Sequence, residues 1–274
     1  MRIDLHTHST VSDGTESPSE VIRAAAAAKI DTVALTDHDS VSGWQAASAM
    51  AAALGLGFVP GVEVSAKHRG ISIHLLGYWP DPHAQAMTDM FAKTRRARVA
   101  RAQEMTERIA KQYPITWDDV MVRAGDADTV GRPHIADALI DAGHFEDRSA
   151  AFAAALMPGS PFYVPHYAPD VLDAVRAVRA AGGVPVFAHP GADLRGRVVA
   201  DQVIVDMADA GLAGLEIDHR DHSPQQRERL SALAERLGLI RTGSSDYHGA
   251  GKPNQLGENT TSEEAFDALH AQRG

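Results

Sequence analysis

The chain has 274 residues, 44% hydrophobic content, a formal net charge of −10 and no cysteine. It is long enough for one sizeable domain, or one domain with an insertion. The acidic balance excludes bulk attraction to nucleic acid or anionic membranes, so a phosphate-bearing partner needs a local cluster of cations; without cysteine there is no disulfide, thiolate ligand, iron–sulfur cluster or cysteine nucleophile.

In chain order, "RIDLHTHS" reads as a strand. "SPSEVIRAAAAAKI" reads as a helix with Ser17 as N-cap, Pro18 in the first turn and Glu20 three residues on. "TVALTDHD" is a second strand and "VSGWQAASAMAAALG" a second helix closed by glycine. "GFVPGVEVSA" and "ISIHLLGYW" are two more strands. From about His83 to Tyr113 runs a long basic amphipathic helix, followed by helices over "TWDDVMVRAG", "GRPHIADALIDAGHF" and "SAAFAAALM" with no strand between them. After Pro169 helix and strand alternate again: "DVLDAVRAVRAAGG", "VPVFAHP", "VADQVIVDMADAG", "LAGLEIDH", "SPQQRERLSALAERLG", "IRTGSSDYH" and "SEEAFDALHAQ".

Seven strand–helix units interrupted by helices alone predict an α/β parallel sheet or barrel. The expected organisation is a barrel over residues 1–83 and 169–274, with an all-helical insertion over 84–168 covering the active site. The "MRIDLHTHS" start has no signal-peptide apolar run, and no stretch approaches the ~20 residues of a membrane span. The expectation is a cytoplasmic protein with no membrane partner and no obligate protein partner.

The chemical residues fall at strand ends. His6 and His8 end the first strand, Asp37 and His38 the second. Glu63 lies in the third and His74 in the fourth. His189 follows "VPVFA", Glu216, His219 and His222 lie at or after "GLEID", and Asp246 and His248 follow "IRTGS". In α/β barrels that face carries the active site. Residues two apart on a strand share a face, so His6 with His8, and Asp246 with His248, can hold a divalent cation. Ligands without sulfur suit Mn, Fe or Zn, with Mg an alternative, and their number exceeds the needs of one ion. The competing readings are structural: Asp39 or Ser40 as a cap for the next helix, Asp37 as an orienting neighbour, His189 as a loop residue. His68, His83, His144 and His270 have no such context, and His166 is undecided.

Together "DLHTHSTVSDG", "LTDHDSVSGW", "GVEVS", "IHLLGY", "FAHP", "GLEIDHRDHS" and "SSDYHG" resemble the polymerase and histidinol phosphatase (PHP) domain family. The resemblance implies a distorted (β/α)7 barrel and a metal-dependent phosphoesterase with two or three divalent ions. The ligand sets it implies are His6, His8, Glu63 and Asp246; Glu63, His74 and His189; and Asp13, His38 and His248. Asp13 stands where some branches carry histidine. "GRPHIA" resembles a motif of the small phosphoesterase branch with a helical insertion. That branch acts on nucleoside 3′,5′-bisphosphates or trims short RNA from its 5′ end. Arg132 and His134 would then hold phosphate, and His222 or His219 would contact phosphate or protonate the leaving oxygen. The implied reaction is release of the 3′ phosphate by a metal-activated water attacking in line, on a small phosphorylated nucleotide or short oligonucleotide. Alternatives are 5′–3′ exoribonuclease, histidinol-phosphate phosphatase and a non-catalytic metal-binding module. The basic run "KTRRARVARAQ" reads as a solvated helix face rather than a polynucleotide path.

Overall fold

A computed structural model describes residues 1–274. Its seven strands are β1 (Ile3–Asp4), β2 (Thr32–Leu35), β3 (Gly57–His68), β4 (Ile71–Tyr78), β5 (Val184–Phe187), β6 (Gly214–Asp218) and β7 (Ile240–Gly243). They lie side by side in sequence order. Beyond the last strand the chain returns to the first: Thr7 bridges Tyr247 in parallel, and His8 N–H donates to Tyr247 C=O at 2.8 Å. The sheet thus curls into a nearly closed barrel.

Not every neighbour is parallel, as the alternation had implied. The β3–β4 and β4–β5 pairs are antiparallel. The reason is the two-residue connection Arg69–Gly70, both with positive φ (46° and 79°). That is the geometry of a tight hairpin, and two residues cannot carry a crossover helix. The hairpin changes how the ligands are delivered. On β3, Val59, Glu63 and Ser65 alternate onto one face; on β4 so do His74, Leu76 and Tyr78, with Ser65 opposite His74 and Glu63 opposite Leu76. The lower part of this face joins a buried apolar cluster with Ile3, Leu5, Val184 and Val186. Its upper part presents a carboxylate and an imidazole. The opposite face, with Val62, Val64, Ile73 and Leu75, packs beneath the outer helices.

Five helices cover the barrel outside: α1 (Pro18–Ala27), α2 (Trp44–Leu54), and, after the insertion, helices over Val171–Ala180, Asp201–Asp209 and Pro224–Leu237, with a terminal helix at Glu263–His270. The Ser17–Glu20 capping box forms as expected, with Glu20 N–H on Ser17 Oγ at 3.4 Å and Ser17 N–H on Glu20 Oε2 at 2.8 Å. Asp39 and Ser40 do not cap α2: its N-cap is Gly43, without a side-chain bond.

Between β4 and the second half of the barrel lie α3 (Gln85–Ile109), α4 (Trp117–Ala124), α5 (Arg132–Asp141) and α6 (Arg148–Ala151), the last running into a π turn at Phe152–Leu156. In the same numbering the later helices are α7 (Val171–Ala180), α8 (Asp201–Asp209), α9 (Pro224–Leu237) and α10 (Glu263–His270). Residues from Ala102 to Val164 form a core of their own around Met105, Ile109, Ile135 and Leu139. The first turns of α3 belong elsewhere, since Met87 and Phe91 pack into the barrel core. No helix is long and apolar enough to cross a membrane.

Candidate active site

The mouth of the barrel is built from loops leaving the strand ends, and three of these loops hold a non-glycine residue in the left-handed region: Asp39 (φ 51°), His189 (φ 34°) and Asp246 (φ 55°). Each such position costs on the order of 1–3 kcal/mol and persists only where its surroundings fix it. Gly14 closes the first loop, where a Cβ would sit 2.5 Å from the His8 carbonyl oxygen.

The loops bring their side chains onto one centre. His6 Nε2 and His8 Nε2 stand 3.1 Å apart. Glu63 Oε2 is 3.2 Å from the first and 3.0 Å from the second, and Asp246 Oδ1 is 3.5 Å from both. Four ligand atoms around one ion with bonds of ~2.0–2.1 Å would stand ~3.3 Å apart. The other Glu63 oxygen, Oε1, is 2.7 Å from His74 Nδ1 and 3.3 Å from His189 Nε2. Asp13 lies 3.3 Å from His248 Nε2 and 3.7 Å from His38 Nε2, while His38 Nδ1 turns back to Glu63 Oε2 at 3.2 Å. His38 therefore joins the third expected set to the Glu63 oxygen of the first, and His8, whose Nδ1 is 3.5 Å from Asp13, likewise spans the first and third.

The hydrogen bonds at the back of each ring show what the front must carry. His6 Nδ1 faces Glu216 Oε1 at 2.9 Å, His8 Nδ1 faces Ser12 Oγ at 3.4 Å, and His248 Nδ1 faces the Asp246 carbonyl at 2.8 Å. A neutral imidazole that donates from Nδ1 presents a lone pair at Nε2. Lone pairs and carboxylate oxygens thus converge without protons to share, and His38 Nδ1 is buried with no hydrogen-bond partner. Donors of this kind in this arrangement fit divalent cations.

The titration behaviour agrees. Burial alone would raise Glu63, but His38, His74 and His6 hold it well below the usual carboxylate range. Burial likewise opposes the charges of Asp246 and Asp13, and both are held low: Asp246 by Lys252, Arg195 and His6, Asp13 by His248 and His38. His189 is pushed down to about 3 and His248 to about 4, chiefly by burial, then by Arg195 and Lys252 respectively. His6 alone is drawn well above its ordinary value; burial resists, but Glu216, Glu63 and Asp246 prevail. That is the signature of a carboxylate-rich pocket short of a positive charge, which a metal supplies in place of the proton.

Around the cluster stands a layer of orienting groups. Glu216 Oε2 accepts the His189 backbone N–H at 2.8 Å, so one carboxylate fixes His6 and the turn carrying His189. Its place at a strand end was legible, but not this role. Asp37 does orient its neighbours, accepting from Ser9 N–H, Ser9 Oγ and Ser12 Oγ at 2.7–2.8 Å. Asp39 accepts from Ser65 N–H and Oγ and from Arg98 Nε. Arg195 and Lys252, which the sequence reading missed, hold Asp246 Oδ2 at 2.8 and 3.1 Å and leave Oδ1 facing the histidines.

The residues expected to hold substrate divide. His222 is buried with both ring nitrogens engaged: Nδ1 donates to the Ile217 carbonyl at 2.8 Å and Nε2 accepts from Gly191 N–H at 2.9 Å. It braces the turn after His189 and has no atom left for a substrate. His219 differs. Its Nδ1 accepts from Asp221 N–H at 3.1 Å, which leaves the proton on Nε2. That buried Nε2 has no hydrogen-bond partner and lies 3.6 Å from Asp246 Oδ2. His134 and Arg132 part company as well. His134 Nδ1 accepts Gly131 N–H at 3.1 Å, capping α5, and burial lowers its pKa against the opposing pull of Asp13 and Asp137. Arg132 instead reaches the Leu156 carbonyl at 3.0 Å, between the rings of Phe152 and Tyr163. Nor is the basic run a solvated face throughout. Arg98 and Arg101 are buried, because α3 lies between barrel and insertion. His68, His83, His144 and His270 lie outside the cluster.

The insertion grips the loops that bear the cluster. Thr129 Oγ1 donates to the His38 carbonyl at 2.7 Å, Arg95 to the Asp39 carbonyl at 2.6 Å, and Arg148 to the Asp13 carbonyl at 3.0 Å while paired with Asp137.

Comparison with known proteins matches this frame. Residues 4–124 match the PHP domain. Over 91% of its length the chain is 36% identical to a 3′,5′-nucleoside bisphosphate phosphatase of Chromobacterium violaceum, covering 88% of that protein. The chain belongs to the PHP family. A 5′–3′ exoribonuclease of Haemophilus influenzae is 31% identical, with 90% of each chain aligned. A solved structure from Bifidobacterium adolescentis, assigned to the metal-dependent phosphoesterases, superposes with a TM-score of 0.97 at 41% identity, covering 99% of this chain and 96% of that one. Such a PHP chain is a metal-dependent hydrolase of phosphoester bonds, and the barrel described above is the PHP barrel.

Proposed function

We propose that this PHP phosphoesterase removes the 3′ phosphate from nucleoside 3′,5′-bisphosphates, with two or three divalent ions (Mn, Fe or Zn) held by His6, His8, Asp13, His38, Glu63, His74, His189, Asp246 and His248. One observation carries the metal assignment. Each oxygen of Glu63 lies within 3.3 Å of imidazole nitrogens on a different side, Oε2 against His6 and His8, Oε1 against His74 and His189. Such a carboxylate is placed to bridge two ions. The Chromobacterium relative supports the substrate.

Divalent ions bound there would supply Lewis acidity and a water of lowered pKa. The chain's own residues set the geometry. Glu216, Ser12 and the Asp246 carbonyl turn the ligand rings so that lone pairs face the centre. Arg195 and Lys252 fix Asp246. His219, with an unpartnered Nε2–H beside Asp246, is placed to donate that proton or a hydrogen bond to a substrate oxygen. Residues 84–168 form, in this reading, a subdomain that closes over the mouth and holds the Asp13 and His38 loops. The reading places the enzyme in the cytoplasm, acting on a small nucleotide without an obligate protein partner.

The test measures the products of Mn-loaded protein: inorganic phosphate from adenosine 3′,5′-bisphosphate, 3′-AMP, 5′-AMP and histidinol phosphate, and 5′-mononucleotides from a 5′-phosphorylated tetranucleotide RNA. The expected result is preference for the bisphosphate with 5′-AMP as product. Preference for the RNA would replace this reading with the exoribonuclease of the Haemophilus relative, and no release from any of them would reject it.

A further inference from the structure

The three expected metal positions are supported unequally. The groups that fix His6, His189 and Asp246 all come from the barrel: Glu216, Arg195 and Lys252. The loops of Asp13 and His38 are held from the insertion instead. Thr129 Oγ1 donates to the His38 carbonyl, and the Asp128 backbone N–H donates to the Val11 carbonyl at 2.9 Å. Arg148, at the start of α6, reaches the Asp13 carbonyl from Nη1 at 3.0 Å.

Arg148 is fixed on three sides. The rest of its guanidinium forms a two-pronged pair with Asp137 of α5, Nε on Oδ1 at 2.7 Å and Nη2 on Oδ2 at 2.6 Å. The pair sets the plane of the fork and offsets its charge, so the fork can hold the loop of a metal-binding carboxylate without a net repulsion of the cation. On the other side runs the loop after β7. A Cβ on Gly251 would overlap Arg148 Nη1, so glycine at this position leaves the space that the guanidinium fills. The same loop carries His248, whose carbonyl accepts from Thr15 N–H at 3.2 Å and from Thr15 Oγ1 at 3.3 Å. The Asp13 loop, the His248 loop and the insertion therefore meet at one side chain.

We propose that Arg148 is a positioning residue for the third metal position, locking the Asp13 loop beside the His248 loop, so that an ion held by Asp13, His38 and His248 depends on the insertion while the ions at Glu63 depend on the barrel. The inference rests on the metal assignment of the proposed function and deepens it. Arg148 touches neither ion nor substrate; it acts through the Asp13 backbone. Its partner Asp137 and the small residue at 251 are part of the same device.

The experiment titrates Mn into chelator-stripped wild type, Arg148→Met and Gly251→Ala by calorimetry, and locates the ions by anomalous difference in crystals of each. Gly251→Ala keeps every polar group and displaces only the flexible end of Arg148, so it gives the readout should Arg148→Met fold poorly. Wild type is expected to hold an ion among Asp13, His38 and His248. Both variants should weaken that ion ~10–100-fold, the range for groups that orient metal ligands, and leave the ions at Glu63 within about threefold. At limiting Mn the peak at Asp13 should fade alone. Equal weakening of every ion, no change in either variant, or a wild type with ions at Glu63 and none at Asp13 in saturating Mn would overturn the role. No ion at Glu63 either would instead overturn the metal assignment beneath it.

Discussion

Glu216 offers a quantitative test of how the cluster is held. It is fully buried, and although burial raises its pKa, His6 above all brings it down to about 2, so it is ionised at neutral pH. One oxygen takes His6 Nδ1–H at 2.9 Å and the other His189 N–H at 2.8 Å. Glu216→Gln preserves volume and one acceptor but turns an amide NH2 toward one of these donors. The loss is one charge-assisted hydrogen bond, about 1.5–3 kcal/mol. At about 1.4 kcal/mol per decade this is roughly 10–150-fold in metal affinity, in line with the ~10–100-fold typical of groups that orient metal-binding histidines. The assay is Mn titration of chelator-stripped protein, by calorimetry and by phosphate release. Half-saturation should move up by that factor, with kcat at saturating metal within about threefold. Unchanged metal affinity would refute the orienting role, and inactivity at every metal concentration would show that Glu216 acts in the reaction itself.

Four further outcomes follow from the same geometry. Glu63→Gln removes the carboxylate shared by five imidazoles; with several kcal/mol at stake in metal catalysis, kcat should fall ~10³-fold or more and elemental analysis should find less metal per chain. Stripping metal with a chelator should lower Tm and Mn should restore it; at one hundred times Kd the linkage is about 2.7 kcal/mol, roughly 5–10 °C for a chain of this size, and a scan showing no shift would argue against ions in the folded state. His219→Asn keeps an acceptor for Asp221 N–H but loses the free Nε2–H, so kcat should drop ~10²-fold or more with Tm little changed, whereas His222→Ala should cost about 1–3 kcal/mol of stability by orphaning Gly191 N–H and the Ile217 carbonyl. Denaturation curves and rates on both variants separate the two histidines.

The sequence showed the cluster more clearly than its supports. His6, His8, His38, Glu63, His189, Asp246 and His248 were visible because strand ends in a barrel meet on one face and period-2 spacing puts neighbours together. The hairpin was present as Arg69–Gly70, but a run of alternating elements hides strand direction, and so the parallel expectation failed at β4. His219 and His222 could not be separated by spacing, because the choice depends on the Ile217 carbonyl and Gly191 N–H that the fold brings to one ring. Arg101 read as a solvated charge because burial of a helix face depends on what packs over it, and here the cover is a separate core around Ile135 and Leu139. Glu216 stood at a strand end in plain sight, yet its work on His6 needs a partner 210 residues away.

The most direct test of the central claim is an anomalous-difference map, collected at the manganese edge, from crystals of the Mn-loaded protein. The expected map has a peak among His6, His8, Glu63 and Asp246, and a second bounded by Glu63, His74 and His189, so that Glu63 joins the two. A map with no peak at Glu63, from protein that still releases phosphate, would contradict it.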